Sequence, residues 1–271
     1  MELLLDEPWF PAVALGTLGV VGLVIGSFLN VVVWRVPRGE SLVSPPSACP
    51  RCGHRIRPRD NVPVLSWLVL RGRCRDCGAA IARRYPLVEA ATGVVFVLVG
   101  IRFGWAAELP AYLYLAALGL ALALIDLDVH RLPDRLVLPA YPTLAVLLGV
   151  ASGVHGDWAA LGRAGIGAAA LLLLYGSLWF VRPDAMGFGD VKLSGVVGAG
   201  LAWVGWGPLV IGAFAAFLLG GAYGVALIAT RRGGRRSRVP FGPWMVLGAA
   251  LGVAAGGALW SDYLGVVGLA S

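Results

Sequence analysis

The sequence predicts an all-α polytopic membrane protein of about eight transmembrane helices, with one small polar domain between the first and the second. Three observations carry this reading. Of the 271 residues, 58% are hydrophobic and only 14% are charged, against roughly 25% charged in an ordinary soluble domain. The mean hydropathy is +0.80, and the apolar residues gather in runs near the ~20 residues that cross a bilayer. The one sizeable polar stretch, residues 35–85, is rich in Pro, Gly and Arg and holds all four cysteines. A soluble fold is excluded, because so much apolar surface has no polar cover.

The chain opens on an acidic segment, "MELLLDEPWF", which lacks the basic n-region of a signal peptide. The apolar run at about 11–34 is too long for a signal h-region and arginines follow it, so it reads as a retained anchor. Further spans are expected at about 87–104, 109–125, 136–152, 160–181, 191–206, 208–230 and 240–260. Eleven arginines against three acids (Glu40, Asp60 and Asp76) crowd residues 35–84, which marks that loop as cytoplasmic and the N-terminus as outside. Alternation then places 126–135, 182–190 and 231–239 on the same side, and the last of these carries five arginines. Two separate basic clusters thus agree on one orientation. Only "GWGP" parts the sixth and seventh runs; a re-entrant pair there returns the chain to the same side. Glycines four residues apart, as in Gly248, Gly252 and Gly256, Gly22 and Gly26, and Gly220 and Gly224, predict closely packed helix faces. The net charge of +7 lies in membrane loops, where it reports topology, and no nucleic-acid partner is expected.

The four cysteines form two C-x2-C pairs, "CPRC" at Cys49 and Cys52 and "CRDC" at Cys74 and Cys77, with 21 residues between them. Gly53 and Gly78 follow the pairs, where a zinc knuckle needs a residue tolerant of positive φ and a backbone amide aimed at sulfur. Two disulfides, a redox motif or an iron–sulfur cluster compete. A reducing compartment disfavours disulfides, and a redox motif needs no matched second copy. The pattern favours tetrahedral zinc with every position filled by protein, and so a structural metal. A polar segment this small needs such a staple.

The acids are few. Asp126 follows a long apolar run within "ALIDLDVHRLPDRLVLP", at the end of a helix, where a negative charge opposes the macrodipole. It has no structural excuse there. Asp128 faces about 160° away on the same helix and is either solvated or part of a site. His130 shares the Asp126 face and either tunes it or is solvated. Asp134 is placed as the N-cap of the fourth span. In "DAMGFGDVK", Asp190 follows Gly187 and Gly189 at the start of the sixth span; it caps that helix, serves a site, or both. Ionisable groups at membrane depth are functional candidates. Asp126 and Asp190 are expected at the same cytoplasmic edge on different helices. Two carboxylates brought together share a proton and suit aspartic-protease chemistry. Gly187 and Gly189 then permit unusual backbone angles and the approach of an extended peptide. Lys192 either offsets local negative charge or snorkels to the interface. Glu89, near the start of the second span, reads from position alone as an interfacial acid.

In order along the chain, "GSFLNVVVWRVP" at 26–37, the two C-x2-C pairs, "RRYPLVE" at 83–89, "LIDLDVHRLPD" at 124–134, "GFGDVKL" at 187–193 and "PFGP" at 240–243 resemble the type IV prepilin peptidases, members of the GxGD intramembrane aspartic proteases. The resemblance runs along nearly the whole chain. It implies that Asp126 and Asp190 are the catalytic pair and that Cys49, Cys52, Cys74 and Cys77 bind zinc in a cytoplasmic domain. It also implies that prepilins or pseudopilins are the substrates, cut just after a glycine on the cytoplasmic side of the bacterial inner membrane. Many relatives then methylate the new N-terminus with S-adenosylmethionine, which would make Glu89 a candidate for that site or for substrate contact. The domains expected are a first transmembrane helix at 1–34, a zinc-binding, methyltransferase-associated domain at 35–86 and a transmembrane peptidase bundle at 87–271. Cleavage without methylation, a proton-coupled transporter relaying protons through Asp126 and Asp190, and an assembly scaffold are the alternatives.

Overall fold

The computed structural model describes residues 10–183, 186–231 and 240–268, without the side chains of residues 10 and 11. Nine α-helices account for most of it: α1 (Phe10–Arg35), the short α2 (Leu65–Val69), α3 (Arg84–Phe103), α4 (Leu109–Val129), α5 (Asp134–His155), α6 (Trp158–Val181), α7 (Phe188–Val204), α8 (Trp206–Ala229) and α9 (Gly242–Val266). No β-strand is formed among the described residues; two isolated bridges, Ala48 with Arg55 and Arg73 with Ala80, are the only extended pairings there. Seven helices are long and apolar enough to cross a bilayer: α1, α3, α4, α5, α6, α8 and α9. The protein is a multi-pass membrane protein. The remaining long helix, α7, has 17 residues and stands where the sixth of about eight spans is expected. A single residue, Gly205, parts it from α8. Of the second arginine cluster only Arg231 is described; Arg232, Arg235, Arg236 and Arg238 lie outside the described residues, as do the first nine residues.

The chain divides into two compact units, one up to Ala121 and one from Leu122, with the boundary inside α4. In the first unit α1 packs on α3. Gly22 and Gly26 make this possible: a Cβ on either would come within 2.7 Å of the Cα of Gly93 or Glu89, so the two backbones approach as small-residue faces allow. Between these helices the polar segment folds around its cysteines.

In the second unit α7 is the central helix. Its buried residues run from Asp190 to Trp203, and Leu201 and Ala202 join Leu171 of α6 and Leu209 of α8 in one apolar cluster. Glycines again set the spacing. A Cβ on Gly248 would meet the carbonyl oxygen of Gly212 at 2.5 Å, and one on Gly252 that of Pro208 at 2.6 Å, so the glycine row of α9 lies against α8 as its spacing predicts. Gly220 faces Phe241, but Gly224 faces open space, so that expected pair contributes one contact, not two. At the C-terminal end of α7, Arg163 donates to the carbonyls of Ala202 and Trp203, both at 2.7 Å. A cation there satisfies end carbonyls and complements the dipole.

Candidate active site and metal centre

The metal centre is built from two copies of one turn. Cys49 N–H donates to His54 O and Gly53 N–H to Cys49 O, both at 2.9 Å; Cys74 N–H donates to Ala79 O at 2.8 Å and Gly78 N–H to Cys74 O at 2.9 Å. Gly53 and Gly78 take φ of 73° and 68°, the left-handed conformation expected of them. The two turns bring all four sulfurs within 4.8 Å of one another, with Cys49 Sγ and Cys77 Sγ 3.9 Å apart. A tetrahedron with Zn–S bonds of ~2.3 Å has S···S edges of about 3.8 Å, so the cluster fits zinc. No disulfide joins any two of the four cysteines. The backbone amides of Cys52 and Arg51 point at Cys49 and pull its thiol down to about 6, while burial and the neighbouring Cys49 sulfur push the Cys52 thiol up. Around the turns, Arg75 clamps Asp60 through three hydrogen bonds of 2.6–3.0 Å, which holds the Asp60 carboxyl below its usual range. Arg57 pairs with Asp76 at 3.0 Å, and Trp67 Nε1 donates to Ile81 O at 3.1 Å.

The candidate active site lies in the second unit. Asp126 is 5% exposed, three residues before α4 ends, and Asp190 is 7% exposed at the third position of α7. His130 terminates the α4 turn: its φ is 53° and its N–H donates to Asp126 O at 2.9 Å. The chain then passes Leu132, which packs on Gly189; a Cβ there would lie 2.9 Å from Leu132 Cβ. The loop after Asp126 is thereby pressed against the residue before Asp190. Each carboxylate is held by one glycine amide. Gly187 N–H donates to Asp190 Oδ2 at 3.2 Å, and Gly242 N–H, at the start of α9, donates to Asp126 Oδ2 at 2.9 Å. The other oxygen of each accepts no hydrogen bond among the described residues. Beside them Tyr175 of α6, Phe217 of α8 and Phe241 form an aromatic cluster with ring centroids 5.1–6.0 Å apart, an apolar wall next to buried carboxylates.

Two expectations about supporting residues are corrected by this geometry. Gly187 has φ −72° and ψ 143°, an extended conformation open to any residue, and Gly189 does not have positive φ. Neither has an unusual angle; Gly189 is packed closely on Leu132. Asp134 is the first helical residue of α5 behind an N-cap at Pro133, which makes no side-chain cap. Its carboxylate binds Lys192 Nζ instead, at 2.7 and 2.9 Å, so Lys192 offsets charge by tying α5 to α7. Tyr141 adds a second tie, donating to Lys192 O at 2.5 Å. Asp128 is exposed on the opposite side of α4 from the Asp126 carboxylate. Glu89 belongs to the first unit, where it is 9% exposed and accepts from Val64 N–H at 2.7 Å. Gly242 is the residue that sequence reasoning missed; "PFGP" was its only signal.

Residues 113–225 match the type IV leader peptidase family, and residues 20–103 match the bacterial peptidase A24 N-terminal domain. The chain belongs to the type IV leader peptidase family. Both aspartates fall inside the first match and all four cysteines inside the second. Among its relatives in this family is a prepilin leader peptidase/N-methyltransferase of Pseudomonas aeruginosa, 36% identical over 272 residues, covering 90% of this chain and 89% of the relative. A protein of the same name from Burkholderia pseudomallei is 38% identical over 263 residues, covering 85% and 82%. One from Myxococcus xanthus is 42% identical over 225 residues, covering 80% of this chain and 64% of that protein. No solved structure matches the chain.

Proposed function

We propose that the chain is a prepilin leader peptidase and N-methyltransferase of the bacterial cytoplasmic membrane. It cuts the basic leader of type IV prepilins or pseudopilins just after a glycine, on the cytoplasmic side, and methylates the new N-terminal amine with S-adenosylmethionine as donor. The observation that carries the reading is the pair of buried carboxylates, each pinned through one oxygen to a glycine amide, with the loop after Asp126 packed on the residue before Asp190. Two carboxylates that share a site do not ionise together, so one stays protonated. The ionised partner of Asp126 and Asp190 takes a proton from a water, whose oxygen adds to the scissile carbonyl carbon. The protonated partner gives its proton to the carbonyl oxygen as it becomes tetrahedral. Collapse breaks the C–N bond, and the leaving amine takes up a proton. The amides of Gly187 and Gly242 orient the carboxylates, and the Tyr175 cluster limits water.

Cys49, Cys52, Cys74 and Cys77 would hold zinc as a structural ion with no open position. Residues 1–34 act as the first anchor with the N-terminus outside, 35–86 as the cytoplasmic zinc domain linked to methylation, and 87–271 as the peptidase bundle. The arginines at 35–84 support that orientation. Incubating the purified protein with a leader-bearing prepilin peptide, with and without S-adenosylmethionine, tests both activities. Product masses should show a cut after glycine in both reactions and one added methyl only with the donor. An uncut peptide overturns the reading.

A further inference from the structure

Within the first unit a cavity of about 770 Å³ lies between the C-terminal end of α1, the cysteine turns and the start of α3. That volume suits a small organic ligand or the end of a peptide. Trp34, Trp67, Tyr85, Asn30 and Glu89 are among its lining residues, as are four arginines, of which Arg35 donates to the carbonyls of Ser41 and Pro45 and Arg75 pairs with Asp60. Asn30 is fixed by donating to Tyr85 O at 3.2 Å.

Glu89 is the distinctive group. It is nine-tenths buried. One oxygen accepts from Val64 N–H at 2.7 Å, and the other has neither a hydrogen bond nor an ion pair among the described residues. Two other carboxylates in the same wall are neutralised: Asp60 by Arg75 and Asp76 by Arg57. Glu40 is exposed to solvent. Glu89 therefore brings the one buried carboxylate without a cation to this cavity. The local backbone is arranged around it. Val64 holds a φ of 61°, which a β-branched residue adopts only under constraint. Gly26 of α1 leaves room for the Glu89 backbone, where a Cβ would come within 2.7 Å of its Cα.

A buried carboxylate with a free oxygen, in a cavity that aromatic residues also line, suits an ammonium group. We propose that this cavity receives the new N-terminal α-amine of the cleaved substrate, bound through the free oxygen of Glu89, for N-methylation. This rests on the methyltransferase half of the proposed function. Before the transfer the bound ammonium loses one proton to water, which frees the nitrogen lone pair to form the N–C bond to the donor methyl. The C–S bond breaks, its electron pair stays on sulfur, and the product is the methylated ammonium, still paired with the carboxylate. Glu89 holds the nitrogen in place as the substrate-binding group.

The test uses full-length protein and its Glu89→Gln variant, which keeps an acceptor for Val64 N–H and loses the charge. The first readout is the ratio of methylated to unmethylated cleaved peptide at equal extents of cleavage, on protein that keeps the wild-type melting behaviour. The ratio should fall roughly 10- to 100-fold, the loss expected for one charge-assisted hydrogen bond, with partial recovery in Glu89→Asp. The second readout is direct binding of the cleaved peptide with a free N-terminus and of the same peptide N-acetylated. The wild type should prefer the free amine by a similar factor, and Glu89→Gln should lose that preference. An unchanged ratio, or an unchanged preference, overturns the assignment. So does weakened binding of S-adenosylmethionine alone with the peptide preference intact, which would place the donor's cation on Glu89. A wild type that cleaves and never methylates fails the underlying reading instead.

Discussion

Asp126 and Gly242 are 116 residues apart in the chain, yet the amide of one fixes the carboxylate of the other. A Cβ on Gly242 would sit 2.9 Å from Asp126 Oδ2 and 3.4 Å from its Cβ and Cγ. Gly242→Ala should therefore displace the carboxylate and lower leader cleavage by about tenfold or more, while the circular dichroism of the protein stays helical. Undiminished cleavage would show that this amide does not position the acid. Asp126 was legible in the sequence, because an acid ending an apolar helix has no structural use there. Asp190 was legible once it had a partner. Gly242 was not legible, because its role exists only through a long-range contact. Asp134 misled for a related reason: the first turn of α5 accepts an acid at either of two positions, and Lys192 decided what its carboxylate does.

At the scale of elements, hydropathy located the helices well, because burial in lipid imposes long uninterrupted runs. It did not separate α7 from the spans around it by role. α7 is the shortest of the long helices and the most enclosed, and its contacts depend on glycine. A Cβ on Gly198 would meet the backbone of Gly167 and Ala168 on α6. Gly198→Leu should destabilise the second unit by about 1–3 kcal/mol through overpacking, read as a lower melting temperature in detergent. A melt equal to the wild type would mean that the α6–α7 interface tolerates separation. The Lys192–Asp134 pair also joins elements, but its two side chains are 26% and 55% exposed. Asp134→Asn should cost less than about 1 kcal/mol in the same melt, and a larger loss would give the pair a role beyond a surface tie.

At the scale of the whole molecule, one chain carries a thiol cluster in its first unit and a carboxylate pair in its second. The cysteine spacing announced the first; the unit boundary inside α4 was invisible, because apolar character runs through it without a break. Purified protein should contain one zinc per chain by elemental analysis. Chelation or Cys49→Ser should loosen the segment around the cysteine turns, read as faster proteolysis there, and protein without zinc would contradict the structural-metal reading. The central claim is that Asp126 and Asp190 work as one catalytic pair. Its most direct test is the rate of leader cleavage by Asp126→Asn and Asp190→Asn, measured on preparations that retain the wild-type melting behaviour and zinc content. Each single variant should lose cleavage by roughly 10²–10⁴-fold. Cleavage at the wild-type rate in both would contradict it.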